Sequence, residues 1–151
     1  MALLQRYCRR TSNKHNREFV FNLQMLYLMS RTSDKRKEER KCLPEFFERH
    51  LRVVLDTKSR CAECNDLLKG NVSEIAHVMP KGYFKSIMCN DLNVIYLCGM
   101  YSENQCHSKF DNSAVEVVKT MKIYKIIRQR FQILRGDIKE KLSYRHYELY
   151  E

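Results

Sequence analysis

The sequence predicts an α+β protein in which a short, β-rich, cysteine-bearing insert lies between helical flanks. Three observations predict it. Apolar residues recur at helical spacing before and after the middle of the chain. Between residues 61 and 111 that periodicity stops, and short apolar runs at 72–78 and 94–97 read as strands. Five of the seven cysteines fall inside the same stretch, and four of them, Cys61, Cys64, Cys98 and Cys106, form two pairs.

Taken in order, residues 1–16 are basic and polar and read as a loose arm or frayed helix. Residues 17–30 place Phe19, Leu23 and Leu26 on one helical face, rich in Met and Leu. Residues 31–41 carry no apolar side chain and read as a solvated linker or helix end. Pro44 suits a first helical turn, and Leu43, Phe47, Leu51 and Val54 continue that helix to about residue 55. Gly70-Asn71 and Lys81-Gly82 mark turns within the insert. Ser113 and Glu116 fit a capping box. Val117, Met121, Tyr124, Ile127, Phe131 and Leu134 then form one face, with Gly136 as the stop. The parts are a basic helical region at 1–60, the insert at 61–111 and a basic helix and tail at 112–151. At 151 residues they suit one compact domain.

Composition narrows the function. The chain is 44% hydrophobic and 30% charged, which excludes global disorder. It has no apolar run of 18 residues, and its arginine-rich first ten residues do not read as a secretory signal, so a cytoplasmic protein without a membrane partner is expected. The net charge of +10 favours a polyanion, most simply nucleic acid. Residues 1–60 hold 15 basic and 7 acidic side chains (+8), residues 61–111 hold 4 and 6 (−2), and residues 112–151 hold 9 and 5 (+4). An acidic middle with basic flanks suits a divalent cation in the insert and phosphates on the flanks. The leading phosphate contacts are Arg9, Arg10, Lys14, Lys125, Arg128 and Arg130, with Lys81 and Lys109 in the insert.

Cys61 and Cys64 form a C-x2-C knuckle, and Cys98 and Cys106 follow as a second, looser pair. Tetrahedral Zn2+ prefers thiolates, and structural sites commonly combine two such pairs. A redox C-x2-C would want a βαβ context, which is missing. Cys8, Cys42 and Cys89 have no partner at metal-like spacing and are expected to be reduced thiols.

Three polar residues complete the insert. His77 lies in Glu-Ile-Ala-His-Val-Met-Pro, Asn93 opens Asn-Val-Ile-Tyr-Leu-Cys, and His107 follows Cys106 in Cys-His-Ser-Lys-Phe-Asp-Asn. Each alone has a structural explanation as a strand histidine, a turn former or a helix residue. Their order across residues 61–111 resembles the HNH nucleases, also called His-Me finger or ββα-metal nucleases, and the small basic chain is similar to the small HNH endonucleases of phages and mobile elements. The resemblance implies a ββα-metal motif stapled by a four-cysteine zinc site, flanked by N- and C-terminal helices. It implies hydrolysis of DNA phosphodiester bonds, with His77 as general base near its ordinary pKa. Asn93 would pin the loop between the strands, and His107 would ligate a catalytic Mg2+ or Mn2+. A phage-encoded chain would act in the host cytoplasm, as a monomer that nicks or a homodimer that could cut both strands.

The sequence departs from the family at Ala76, where many members carry a metal-binding Asp before the first His. Asp111 offers a replacement, because His107 and Asp111 are four apart and share a helical face. Alternatively His107 is the only protein ligand and water fills the rest. Asp91 is a second candidate carboxylate. Ala76 also feeds the competing expectation of a zinc-bearing module that grips nucleic acid without cutting it. A third is a zinc-stabilised structural subunit of a larger machine.

Overall fold

A computed structural model describes Glu38 and residues 40–151. The expected arm at 1–16, the helix at 17–30, most of the linker, Cys8, and the proposed contacts Arg9, Arg10 and Lys14 lie outside the described residues. The chain divides into two units, Met1–Pro44 and Glu45–Glu151. The sheet and the cysteine cluster belong to the second.

Helix α1 spans Leu43–Asp56, with Glu45 in its first turn, where a carboxylate meets the positive end of the helix dipole. Phe46, Phe47, His50 and Val54 are buried, a stripe at i, i+4 and i+8. The chain then enters strands β1 (Ile75–His77) and β2 (Val94–Tyr96), which pair antiparallel in the register Ile75↔Tyr96, Ala76↔Ile95 and His77↔Val94. Both strands are shorter than the apolar runs suggest. Residues Val72–Glu74 form a 3-10 turn instead, because the buried Glu74 carboxylate accepts hydrogen bonds from the Lys69 and Asn71 N–H groups. That clamp bends the chain before pairing starts. Gly70 lies just upstream at φ +74°, and a Cβ there would run into Leu55.

Four helices follow: α2 (Cys106–Asn112), α3 (Val115–Thr120), α4 (Tyr124–Leu134) and α5 (Tyr144–Tyr150). The single helical face expected from 113 to 134 is broken at Met121, whose backbone is extended. Val115 and Val118 are buried, while Val117 is 52% exposed. The capping box at Ser113 does not form. Ser113 closes α2, and Ala114 stands at the cap of α3 without a side-chain bond. The tail is not a tail: α5 starts with a capping box between Ser143 and His146 and buries Leu149 and Tyr150. The Tyr150 ring stacks on Phe131 at 4.8 Å, and its hydroxyl donates to the Val78 carbonyl at 2.5 Å.

The two faces of the sheet have different neighbours, because side chains alternate along a strand. Ala76 and Ile95 enter the main core with Phe110, Ile127, Phe131 and Leu134. His77 lies on the other face, against the Phe46 and Phe47 rings of α1 at 5.6 and 5.9 Å. Cys42 and Cys89 each take part in a disulfide, where reduced thiols were expected. No helix among the described residues is long and apolar enough to cross a membrane.

Candidate functional site

Cys61, Cys64, Cys98 and Cys106 converge, with their four sulfurs all within 4.8 Å of one another. The Cys64 and Cys98 sulfurs are 3.7 Å apart. A Zn–S distance of about 2.3 Å makes a tetrahedral edge of about 3.8 Å, so the group fits a four-coordinate metal such as zinc. Local backbone produces the convergence. Asn65 takes a left-handed conformation directly after Cys64 (φ 67°), and its N–H bonds the Cys61 carbonyl at 2.9 Å. The Ala62 N–H bonds the Tyr96 carbonyl at 3.0 Å, which fixes the knuckle to the outer edge of β2. Gln105 is also left-handed (φ 44°), which turns Cys106 back toward Cys98. The Cys106 N–H then reaches the Cys98 sulfur at 3.2 Å.

Burial pushes the Cys64 thiol up to about 11 and the Cys106 thiol higher still. At Cys98 burial acts upward too, but the Cys106 N–H and neighbouring hydroxyl and thiol donors outweigh it. A divalent cation would stabilise all four as thiolates. The loop between Cys98 and Cys106 is held down by Asn104, which donates to Asp66 at 2.7 Å. Gly99 passes so close to Ser73 that any Cβ would meet its hydroxyl.

His107 opens helix α2 one residue after Cys106 and faces two groups. Its Nδ1 lies 2.7 Å from the Ser73 carbonyl, and its Nε2 lies 3.2 Å from the Asp111 carboxylate. A carbonyl can only accept, so Nδ1 carries a proton. Burial disfavours the charged ring, but Asp111 and the Ser73 carbonyl together outweigh it and raise the His107 pKa. Asp91 is elsewhere: it accepts from Arg49 at 2.6 Å and sits 3.1 Å from His50 Nε2.

His77 is 7% exposed. Its Nε2 lies 3.0 Å from the Met88 carbonyl and therefore donates to it, which leaves the Nδ1 lone pair as the basic site. Burial, then the Lys81 charge, lowers its pKa to about 4. The ring is neutral at pH 7 as expected, but it is a weaker base than a near-ordinary pKa implies. Asn93 is fully buried and bridges the loop after β1: its Oδ1 accepts from the Met79 N–H at 2.7 Å, and its Nδ2 donates to the Met79 and Ile87 carbonyls at 3.1 and 3.2 Å.

The proposed phosphate contacts fare differently. Lys109 and Lys125 are exposed. The Lys81 ammonium stands 4.8 Å from the Phe47 ring, and its charge acts on both His77 and His107. Arg128 instead donates to the Tyr150 and Glu151 carbonyls. Arg130 is half-buried. Sequence reasoning missed a polar group made by His50, Tyr96, Asp91 and Arg130, although a histidine four residues after Phe46 on an apolar face was a signal. Among protein-family models, curated proteins and solved structures, none matches the chain.

Proposed function

We propose that the chain is a metal-dependent endonuclease of the HNH type that hydrolyses DNA phosphodiester bonds. One observation carries this reading. The Ser73 carbonyl fixes a proton on His107 Nδ1, which leaves Nε2, 3.2 Å from the Asp111 carboxylate, as the atom that would bind a metal in place of the proton it shares with Asp111. A ligating histidine commonly donates its other N–H to a backbone carbonyl in this way. The 3.2 Å between Nε2 and Asp111 suits two adjacent ligands of an octahedral ion, which lie about 3.0 Å apart when each bond is about 2.1 Å. Mg2+ or Mn2+ held there would neutralise charge on the phosphorane and the leaving 3′ oxygen. Ala76 adds no ligand, so water and substrate oxygens would complete the shell.

The remaining chemistry belongs to the side chains. His77 accepts the proton of the attacking water at Nδ1, while Met88 holds the opposite edge of the ring. Asn93 fixes the loop that carries Met79 and Ile87, and so holds the Met88 carbonyl in place. The Lys81 ammonium adds positive charge beside both histidines. The zinc of the four cysteines shapes the insert and takes no part in the reaction.

A plasmid nicking assay with Mg2+ or Mn2+ tests the reading. Replacing His77 with Ala should slow cleavage by about 10² to 10⁴ while zinc content stays unchanged. His107→Ala should do similar damage, partly restored by more metal, and Asp111→Ala should raise the metal requirement. An undiminished His77→Ala rate refutes the assignment. The second reading, a binding module without cleavage, is favoured by the enclosure of His77 between Phe46 and Phe47. Wild-type protein that binds DNA but never nicks it would establish that reading.

A further inference from the structure

A cavity of ≈ 200 Å³ opens beside β2, lined by His50, Arg60, Asp91, Tyr96, Ile126 and Arg130 among others. Nothing in the proposed reaction uses it. Its polar groups are not equivalent. Asp91 is already engaged by Arg49 and His50. Burial first lowers the His50 pKa, so the ring is neutral; with Nε2–H given to Asp91, its Nδ1 accepts from the Tyr96 hydroxyl at 2.8 Å. Arg130 is different: its Nη1 is buried, with no hydrogen-bond partner among the described residues. Arg60 spends one nitrogen on the Asn65 carbonyl and has others left.

The sheet adds a backbone donor. Bonds from Val78 N–H to Asn93 and from Leu97 N–H to Glu74 mark those pairs as the hydrogen-bonded ones. Antiparallel alternation then turns the Val94 and Tyr96 N–H groups away from β1, toward the edge that lines the cavity. Arg60, Arg130 and the strand edge with its two outward N–H groups line one small space whose lining carboxylate, Asp91, is already satisfied. Such an array suits a tetrahedral oxyanion. Ala62, Val94, Ile95 and Ile126 provide an apolar floor for whatever carries it. The volume equals about seven waters of bulk liquid, room for a phosphate with part of its sugar.

We propose that this cavity binds the phosphate group of a nucleotide, gripped by Arg130 and Arg60. The group comes either from a polynucleotide backbone or from a free mononucleotide. Because Val94 pairs directly with His77, a backbone phosphate here would belong to a nucleotide close to the one attacked. The site does not depend on cleavage, so it stands or falls apart from the endonuclease reading.

The test is a binding titration of the full chain with inorganic phosphate, a mononucleotide and a short single-stranded oligonucleotide. The comparison proteins are Arg130→Gln and Arg60→Gln. Arg130→Gln should weaken at least one of these ligands by about tenfold or more, the usual cost of losing a charged hydrogen bond. Arg60→Gln should weaken the same ligand less. Loss for the oligonucleotide alone assigns a backbone phosphate; loss for the mononucleotide as well assigns a free nucleotide. If Arg130→Gln fails to fold, Arg60→Gln decides by the same readout. Equal affinity of the wild type and the folded arginine variants for all three ligands overturns the proposal.

Discussion

Replacing Asn93 with Ala should destabilise the Glu45–Glu151 unit by about 3 to 5 kcal/mol. The side chain is 0% exposed and makes three hydrogen bonds, one accepted from the Met79 N–H and two donated to the Met79 and Ile87 carbonyls. The three bonds together contribute about 2 to 3 kcal/mol net, and the orphaned buried N–H costs about a further 1 to 2 kcal/mol. The cost of one substitution is therefore a large part of the roughly 5 to 15 kcal/mol that holds a domain together. Asn93→Asp separates the terms. It keeps an acceptor for the Met79 N–H, yet sets a carboxylate against two carbonyls, so it should be no better than Ala. The chain has no Trp and nine Tyr, so urea unfolding is read by tyrosine fluorescence or circular dichroism. With a slope of about 1.5 kcal/mol per molar urea, the midpoint should fall by about 2 to 3 M. A fall below about 0.5 M for Asn93→Ala would refute the reasoning, because three buried bonds cannot then be holding the loop.

Chelation should remove one zinc per chain and unfold the insert, checked by elemental analysis and circular dichroism; folded protein with less than about half an equivalent contradicts the four-cysteine site. Gly99→Ala should cost roughly 2 kcal/mol or more, since its Cβ would lie 2.8 Å from the Ser73 carbonyl oxygen as well as against its hydroxyl, and thermal unfolding measures it. Stability should fall as pH drops from 6.5 to 4. In that window unfolded His77 takes up a proton that the folded ring, with its pKa of about 4, does not. The full effect below pH 4 is about 3 kcal/mol, present as stability above pH 6.5, and urea titrations of His77→Gln should lose this part of the slope. His50 and His146, both lowered first by burial, add to the same trend.

The cysteine cluster was legible because spacing alone encodes a knuckle, and the four sulfurs do converge. The His107–Asp111 proximity was legible for a similar reason, since four residues make one helical turn. What the sequence hid depends on contacts between distant segments. Glu74 looks like a polar interruption in an apolar run, but its buried carboxylate ends the turn and starts β1. Met121 fits a helical face, yet α3 and α4 break there. The Glu63 carboxylate receives the Ile123 N–H at 3.1 Å, which ties the new helix to the Cys61–Cys64 turn 60 residues away. Helix α5 was missed because His146 takes the place of the Glu or Gln that usually signals a capping box. The low basicity of His77 owes much to burial against two phenylalanines of α1, which no local pattern relates to it.

A two-stranded sheet with three residues per strand cannot hold chemistry in place by its own ladder. Its ends are fastened instead. At one end the Ala62 N–H binds Tyr96 beside the cysteine cluster. At the other, Asn93 closes the loop and Tyr150 holds the Val78 carbonyl. The proposed base lies at the second end and the proposed metal ligand at the first, next to Cys106. Damage to the two fasteners should therefore separate. Loss of zinc frees Cys106 and with it the start of α2, so His107 should lose its place before His77 does. Loss of Asn93 loosens the Ile87–Met88 segment and should release His77 first, with the cysteine cluster intact. Zinc content that stays at one equivalent in Asn93→Ala, while the His77 ring resonance moves toward its ordinary pKa, is the outcome this architecture requires. Loss of zinc in that variant would mean that the two ends melt as one unit and that the sheet transmits more order than its length allows.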